Sequence, residues 1–523
     1  MNEAELALKE KLESYFYAEK VNILDMQKIG HDIVNGLYDE YDLKEIKREI
    51  DNSEIGGWVR NGEISNIFCA SFYQLMVLLE PSPESIIAFL EYIRATDFDR
   101  KQKYTLWAIC RAFMFLMPTT YSKESYKKYL EVYLEIADEY KKAIQFENRA
   151  ISYNERNHDF VIFITAQFID FVHGPTKSCF FRAKALNMVG KKQVMIINTN
   201  DLLPKTEGLP LFWQDSHNSN DELDEIDYLN DGEVKIPFFQ IPSVNEADVN
   251  SIEVVLKTIE ELKPEYIVNI GGFNITASLA NDMIPVMLVG MAPGQLQYDG
   301  TDYFTCSLSD LANAKDYARY LGAKEDSLIP SVFTSDFKMQ REKHTREEFG
   351  IPSDSIVACI VGSRLDVEVD RTFIDFLCSL DDIVVLFMGR FHKYDRLCLE
   401  NEEFKQISQC MGFVNDILSY MDLCDIYINP RRLGGGTSAV EAMSKGVIPV
   451  TLDYGDVSYN VGDEFTVNSY AEMRERISKF AADKEYRSEM SKKAIKRAEY
   501  LCDTKNRFIE TTNELEKRIA DKK

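Results

Sequence analysis

A chain of 523 residues is too long for one hydrophobic core, and at about 150 residues per domain it predicts three or four folding units. Apolar residues make up 45%, aromatics 12% and charged residues 28%, a globular mix that excludes an intrinsically disordered chain. Lys and Arg number 60 against 86 Asp and Glu, a net charge of -26, which excludes nucleic acid or an anionic membrane surface as the main partner and leaves room for a local basic pocket.

The N-terminal stretch Met1–Tyr17 is charged, lacks an apolar centre and predicts no signal peptide. Up to about residue 150, apolar residues recur at helical spacing. Phe68, Phe72, Leu75, Met76 and Leu79 share one face, and Ile86, Ile87, Phe89, Leu90 and Ile93 share the next after Pro81-Ser82-Pro83. Tyr126, Tyr129, Val132, Tyr133 and Ile136 form a third stripe. An all-helical domain over 1–155 is expected, serving as a docking module or a plain scaffold.

The pattern changes near Asp159. Strands are predicted at Phe160–Ile164, Val194–Asn198, Ile236–Ile241, Tyr266–Ile270 and Pro285–Val289. Helices are predicted at Phe180–Val189, at Asn250–Leu262 and from Thr276. The acidic stretch Asp215–Glu233 reads as a solvated loop. A second alternating block follows Pro330, with strands at Ile356–Val361, Ile383–Met388, Gly412–Val414, Ile426–Ile428 and Ile448–Leu452. A helix is expected at Ser438–Lys445 and a charged helical tail over Tyr470–Lys523. Alternation of this kind makes parallel sheets covered by helices. The expected fold is α/β, two doubly wound Rossmann-like domains behind an all-α N-terminal domain. The boundaries fall at 1–155, 156–330, 331–490 and a charged C-terminal helix over 491–523.

The ten cysteines are scattered, with no C-x-x-C pair, and several lie in apolar runs. Free buried thiols in a reducing, cytoplasmic compartment are expected. No run of 18 apolar residues occurs: Tyr266–Pro293 is interrupted by Asn269, Asn274, Asn281 and Asp282, so no membrane span is expected.

Ligands of open parallel sheets bind beyond the carboxyl ends of the strands. The richest such place is Ile426-Tyr-Ile-Asn429-Pro430-Arg431-Arg432-Leu433, followed by Gly434, Gly435, Gly436, Thr437, Ser438 and, one turn into a helix, Glu441. Glycines let the backbone approach a ligand, and free amides with the helix dipole attract an anion. Thr437 and Ser438 add hydroxyls, and Glu441 can accept hydrogen bonds from a ribose diol. Three glycines alone would equally serve as a flexible turn.

This run, with Glu441-Ala-Met-Ser-Lys-Gly446-Val-Ile-Pro449-Val450, resembles the nucleotide-binding signature of GT-B glycosyltransferases, a group that includes the retaining glycosyltransferase 4 family. Gly362-Ser-Arg364-Leu365 is similar to its G-x-R-L, and Met388-Gly389 and Gly412-Phe413 extend the likeness over roughly residues 159–490. The resemblance implies a GT-B fold, a nucleotide diphosphate held by Arg364 and the 434–438 amides, a ribose held by Glu441 and a base near Phe413. Two positions depart from the retaining pattern: Leu433 and Val369 stand where it has a glutamate and a lysine, with Arg431, Arg432 and Arg371 as candidate replacements. Ala292-Pro293-Gly294-Gln295 with Gly300-Thr301-Asp302-Tyr303 resembles, more weakly, O-GlcNAc transferases and bacterial adhesin N-glucosyltransferases. The latter also carry an all-α domain ahead of their core and glycosylate polypeptides.

His173, in His173-Gly174-Pro175-Thr176-Lys177, is the candidate general base or sugar-orienting residue, because imidazole titrates near working pH; a packing or capping histidine is the alternative. Lys177 is a nearby cation, and Arg182 is expected at the surface or in an ion pair. Gly271-Gly272-Phe273-Asn274 either faces an acceptor or makes a tight connection, and Asp299–Tyr303 either approaches the sugar or is an ordinary turn. No phosphate loop of the G-x-x-x-x-G-K-[ST] type, H-E-x-x-H or paired-cysteine site is present, so neither a metal nor another cofactor is expected. The sequence thus predicts a metal-independent glycosyltransferase, hexosyl or N-acetylhexosaminyl. It would move sugar from a nucleotide donor, UDP-linked, to a protein or glycan acceptor, alone or in a homo- or hetero-oligomer. The alternative is a catalytically silent GT-B-like subunit that binds a partner transferase or acceptor protein.

Overall fold

The computed structural model describes residues 3–18, 21–171, 173–205, 209–214, 219–291, 296–307, 311–337 and 339–522. Helices open the chain: α1 (Glu3–Tyr17), α2 (Ile23–Val34), α3 (Glu40–Asn52), α4 (Glu54–Asn61), α5 (Asn66–Leu79), α6 (Pro83–Ala95), α7 (Arg100–Leu116) and α8 (Lys123–Ala143). Their starts are written locally. Ser82, Asp99 and Ser122 each close a capping box with the residue three places on, and Pro83 occupies the first turn of α6, where its missing N–H costs nothing.

The alternating part follows as β1 (Asn157–Thr165), α9 (Gly174–Met188), β2 (Gln193–Asn198), β3 (Tyr228–Asn230), β4 (Lys235–Gln240), α10 (Val249–Leu262), β5 (Pro264–Ile270), α11 (Ile275–Ala280), β6 (Val286–Val289), β7 (Tyr303–Ser307), α12 (Leu311–Tyr320) and β8 (Leu328–Ser331). Then come β9 (Ile356–Gly362), α13 (Leu365–Glu368), α14 (Arg371–Cys378), β10 (Ile383–Gly389), α15 (Tyr394–Glu400), α16 (Glu402–Ile407), β11 (Ser408–Gly412), α17 (Ile417–Met421) and β12 (Ile426–Asn429). The chain ends with α18 (Gly436–Ser444), β13 (Ile448–Leu452), α19 (Gly455–Val461), β14 (Thr466–Val467), α20 (Tyr470–Ala482), α21 (Lys484–Leu501) and α22 (Thr504–Asp521).

The described residues fall into two compact units: Met1–Asp170 with Gln193–Val289 and Tyr298–Tyr303, and Phe171–Lys192 with Gly290–Gln297 and Phe304–Lys523. In the first, strands run in the order β3-β4-β2-β1-β5-β6, parallel except for the antiparallel edge strand β3. Val161–Ile164 and all seven residues of β5 are buried, the uniform apolarity of strands covered on both faces. The helical region shares this unit. Trp107 stacks on Tyr104 and on Tyr129 with ring centroids 5.5 and 4.4 Å apart, and Phe273, beyond β5, lies 4.9 Å from Tyr129. The Gln74 side chain donates to Trp213 O (2.8 Å) and accepts from Trp213 N–H (3.0 Å), so α5 is hydrogen-bonded to the loop after β2.

The second unit holds a six-stranded parallel sheet, β11-β10-β9-β12-β13-β14, and the parallel pair of β7 and β8. Helix α9 belongs here although β1 and β2, which flank it in sequence, do not. It packs on α22, where Lys192 pairs with Glu516 at 3.3 Å and the Arg182 guanidinium lies 5.9 Å from the Phe508 ring. Arg182 is therefore buried and not at the surface: it donates to Ser178 Oγ (2.6 Å) and Thr334 Oγ1 (3.3 Å). Burial lowers its pKa, and Asp336 opposes that.

Local differences from the sequence reading have local causes. The strand expected at Gly412–Val414 ends at Gly412, whose φ of 67° turns the backbone out of the sheet. The acidic loop contains β3, which Leu229 anchors as its one buried residue while Lys235 covers the Tyr228 ring at 4.0 Å. The tail is broken into three helices because Asp483 and Asp503 cap new starts.

Candidate functional site

The carboxyl ends of β9 and β12 converge on a cluster of arginines. Just past β9, Arg364 donates from Nε to Glu368 Oε1 (3.1 Å) and from Nη2 to Leu433 O (2.6 Å). Glu368, at the end of α13, also accepts from Arg432 Nη1 at 2.7 Å. Arg432 is buried and donates besides to Asn429 Oδ1 (2.8 Å), Val361 O (2.6 Å) and Tyr427 Oη (3.0 Å). Burial works against its charge, but Tyr427 and Glu368 outweigh burial and its pKa is raised. Arg432 thus holds β9 to β12 from within. The other two candidate replacements lie outside: Arg371 and Arg431 are exposed, the latter 4.7 Å over the Tyr454 ring.

The glycine loop rests on these guanidinia. Gly434 and Gly435 have φ of 92° and 90°, which glycine adopts without strain. A Cβ on Gly435 would stand 2.6 Å from Arg432 Nη2, so the loop lies directly on the buried cation. Gly435 caps α18, and Gly436, Thr437 and Ser438 form its first turn, whose amides have no acceptor within the helix. Two loop amides have an acceptor from elsewhere: Gly434 N–H donates to Asp456 Oδ1 (2.6 Å) and Gly436 N–H to Asp456 Oδ2 (3.2 Å). Ser438 Oγ lies 3.0 Å from Tyr427 Oη and donates to Gly435 O at 2.9 Å.

Glu441, one turn further along α18, has its carboxyl pushed up to about 7 by burial, with Lys177 of α9 pulling the other way. His173 caps α9 and sets Nδ1 3.0 Å from the buried Thr176 Oγ1. His173, Lys177, Arg364, the glycine loop and Glu441 all belong to the second unit. Phe413, just past β11, is 66% exposed, unusual for a phenylalanine. The loop after β10 is tied down by Asp366, which accepts from Lys393 N–H (2.7 Å) and lies 2.8 Å from His392 Nδ1.

In the first unit, the turn Gly271–Asn274 is a tight connection packed under the helices. Asp299 accepts from Phe273 N–H (2.9 Å) and Asn269 Nδ2 (3.1 Å), and Asn274 caps α11. Ala292–Gln295, of the weaker resemblance, lie outside the described residues. Among the described residues no three His, Cys, Asp or Glu are grouped to hold a metal ion, and no helix is long and apolar enough to cross a membrane.

Residues 342–497, which carry this arginine cluster and loop, match the family of glycosyl transferases group 1. A glycosyltransferase from Rickettsia africae superposes with a TM-score of 0.51 at 13% identity, covering 70% of this chain and all of that one. A mutant O-GlcNAc transferase from Thermobaculum terrenum superposes with a TM-score of 0.53 at 12% identity, covering 100% of this chain and 99% of that one. The fold is GT-B. The match to glycosyl transferases group 1 lies in the C-terminal region, and the GT-B likeness to the second of these structures extends through the N-terminal helices. None of the curated proteins matches the chain in sequence.

Two groups of this cluster lie outside the sequence reading. Glu368 was within reach, in Arg364-Leu-Asp-Val-Glu368, as an acid one helical turn from an arginine. Asp456 follows a strand-end glycine, Gly455, the same kind of signal that exposed the 434–436 loop.

Proposed function

We propose that this chain transfers a hexose or N-acetylhexosamine from a UDP-linked donor to a protein or glycan acceptor. The observation that carries this reading is the edge of the second sheet, where Arg364, the first turn of α18 and Glu441 lie together inside the segment that matches glycosyl transferases group 1. Arg364 and the amides of residues 434–438 would face the diphosphate and offset the charge that builds on it as the glycosidic bond breaks, in place of a metal ion. Ionised Glu441 would accept from the ribose hydroxyls, and the exposed Phe413 ring would stack on the base. His173, its ring set by Thr176, would take the proton of the acceptor. The ten free cysteines favour a reducing, cytoplasmic setting.

The second reading, a silent subunit, draws on Leu433 and Val369 and on the internal engagement of Arg432. Calorimetric titration with UDP, UDP-glucose, UDP-GlcNAc and GDP, with and without Mg²⁺, separates the two. A transferase binds one of these without metal and hydrolyses or transfers its sugar. His173→Ala then loses turnover while its UDP affinity stays. A chain that binds a nucleotide sugar but never turns it over, with any acceptor offered, is the silent subunit.

A further inference from the structure

The amides that should greet a diphosphate already hold a carboxylate of the chain itself. Asp456 lies on α19, and its two oxygens accept from Gly434 N–H and Gly436 N–H, spanning the left-handed turn much as two oxygens of a phosphate would. One helical turn on, Asn460 is 2% exposed, and its Nδ2 is buried without a hydrogen-bond partner. Both side chains meet the loop at one point: a Cβ on Gly436 would stand 2.6 Å from Asn460 Nδ2 and 3.0 Å from Asp456 Oδ2. The Asn460 backbone is fixed there by Arg497, whose Nε donates to Asn460 O at 2.8 Å. A buried donor left unpaired costs free energy, and a phosphate oxygen is an acceptor that would remove that cost.

We propose that Asp456 competes with the ligand's diphosphate for the amides of the glycine loop, and that Asn460 Nδ2 donates to the phosphate that displaces it. This rests on the nucleotide-diphosphate reading of the site. Two anions cannot share the same two N–H groups, and a carboxylate beside a diphosphate is a like-charge contact. Asp456 therefore swings away when the ligand enters, and α19 acts as a latch on the loop.

The test is calorimetric titration of the full chain with inorganic pyrophosphate and with UDP, together with thermal melts without ligand. Asp456→Ala is expected to bind both about tenfold more tightly than the wild type and to melt earlier when free. Asp456→Asn, which keeps the shape and one acceptor but loses the charge, is expected to fall between the two and serves if the alanine variant does not fold. Asn460→Ala is expected to bind several-fold more weakly. Binding by the aspartate variants with no wild-type binding would also support the latch. Wild-type binding that Asp456→Asn leaves unchanged or weakens overturns the latch and leaves the donor reading standing. An Asn460→Ala affinity equal to that of the wild type removes Asn460 from the phosphate. No binding by any form overturns the latch and the donor reading together.

Discussion

At the carboxyl edge of the first sheet, Asp201, Asn274 and Asp299 are buried, and the Tyr104 hydroxyl reaches down to Phe273 O (3.2 Å) and Asp201 (3.4 Å) beneath a layer of stacked aromatics. The same edge of the second sheet carries arginines, left-handed glycines and an exposed Phe413. One topology is finished in two ways. Where the helical region supplies Trp107, Tyr129 and Tyr133, the edge becomes core and its polar groups bond one another. Where glycine replaces bulk, backbone amides are presented beside fixed cations. The sheet supplies the place, and the side chains decide whether protein or ligand fills it.

The hardest blow to this contrast is Trp107→Ala, which should cost about 3–5 kcal/mol in denaturant unfolding by removing the centre of the aromatic layer. Nucleotide affinity of the folded variant should be unchanged; a parallel loss would show the two edges to be one system. Asp201 sharpens the picture. Burial pushes its carboxyl up to about 6 from an ordinary 3.8, so the folded chain holds this proton more tightly than the unfolded one. That stabilisation is complete below about pH 4 and is lost as the pH rises through 6, about 3 kcal/mol in all. In Asp201→Asn the corresponding fall in stability should vanish, and an unchanged pH profile would assign it to other groups.

At the second edge, Arg364→Ala should weaken nucleotide-diphosphate binding by about 1.5–3 kcal/mol; equal affinities would confine Arg364 to its bonds with Glu368 and Leu433. Glu441 is pushed up to about 7, so affinity that depends on its ionised form should rise with pH through 7. Glu441→Gln should flatten that rise, and a persisting rise would clear Glu441 of the ribose. The smallest effect belongs to Phe413→Ala, about 1 kcal/mol on UDP binding with no change in melting temperature. A drop in melting temperature would make the ring structural.

Alternation of strands and helices, the stop at Pro81–Pro83 and the loop at 434–436 were legible because each is a demand of nearby residues on their own backbone. The Tyr126-Tyr129-Tyr133 stripe was legible as a face, but not what covers it: Phe273 arrives from more than a hundred residues away, and no spacing encodes that. Asp456 on the loop was hidden for the same reason, since its contact with Gly434 exists only once β12 and β13 lie side by side. Arg182 read as a surface or ion-paired cation because an isolated helix does not announce that a second helix, α22, will close over it.

The pairing of α9 with α22 sets a clock. Helix α9 ends at Met188 and α22 begins at Thr504, so at about 5–20 residues per second a ribosome takes roughly 15–60 s to deliver the partner. Until Thr334 and Asp336 are made, and then Phe508, Arg182 lacks its surroundings, and the helix must wait beside a growing chain. Shortening the wait by joining the ends and opening the chain elsewhere, or lengthening it with slow codons before Thr504, should change the yield of folded protein without changing one contact in the finished molecule.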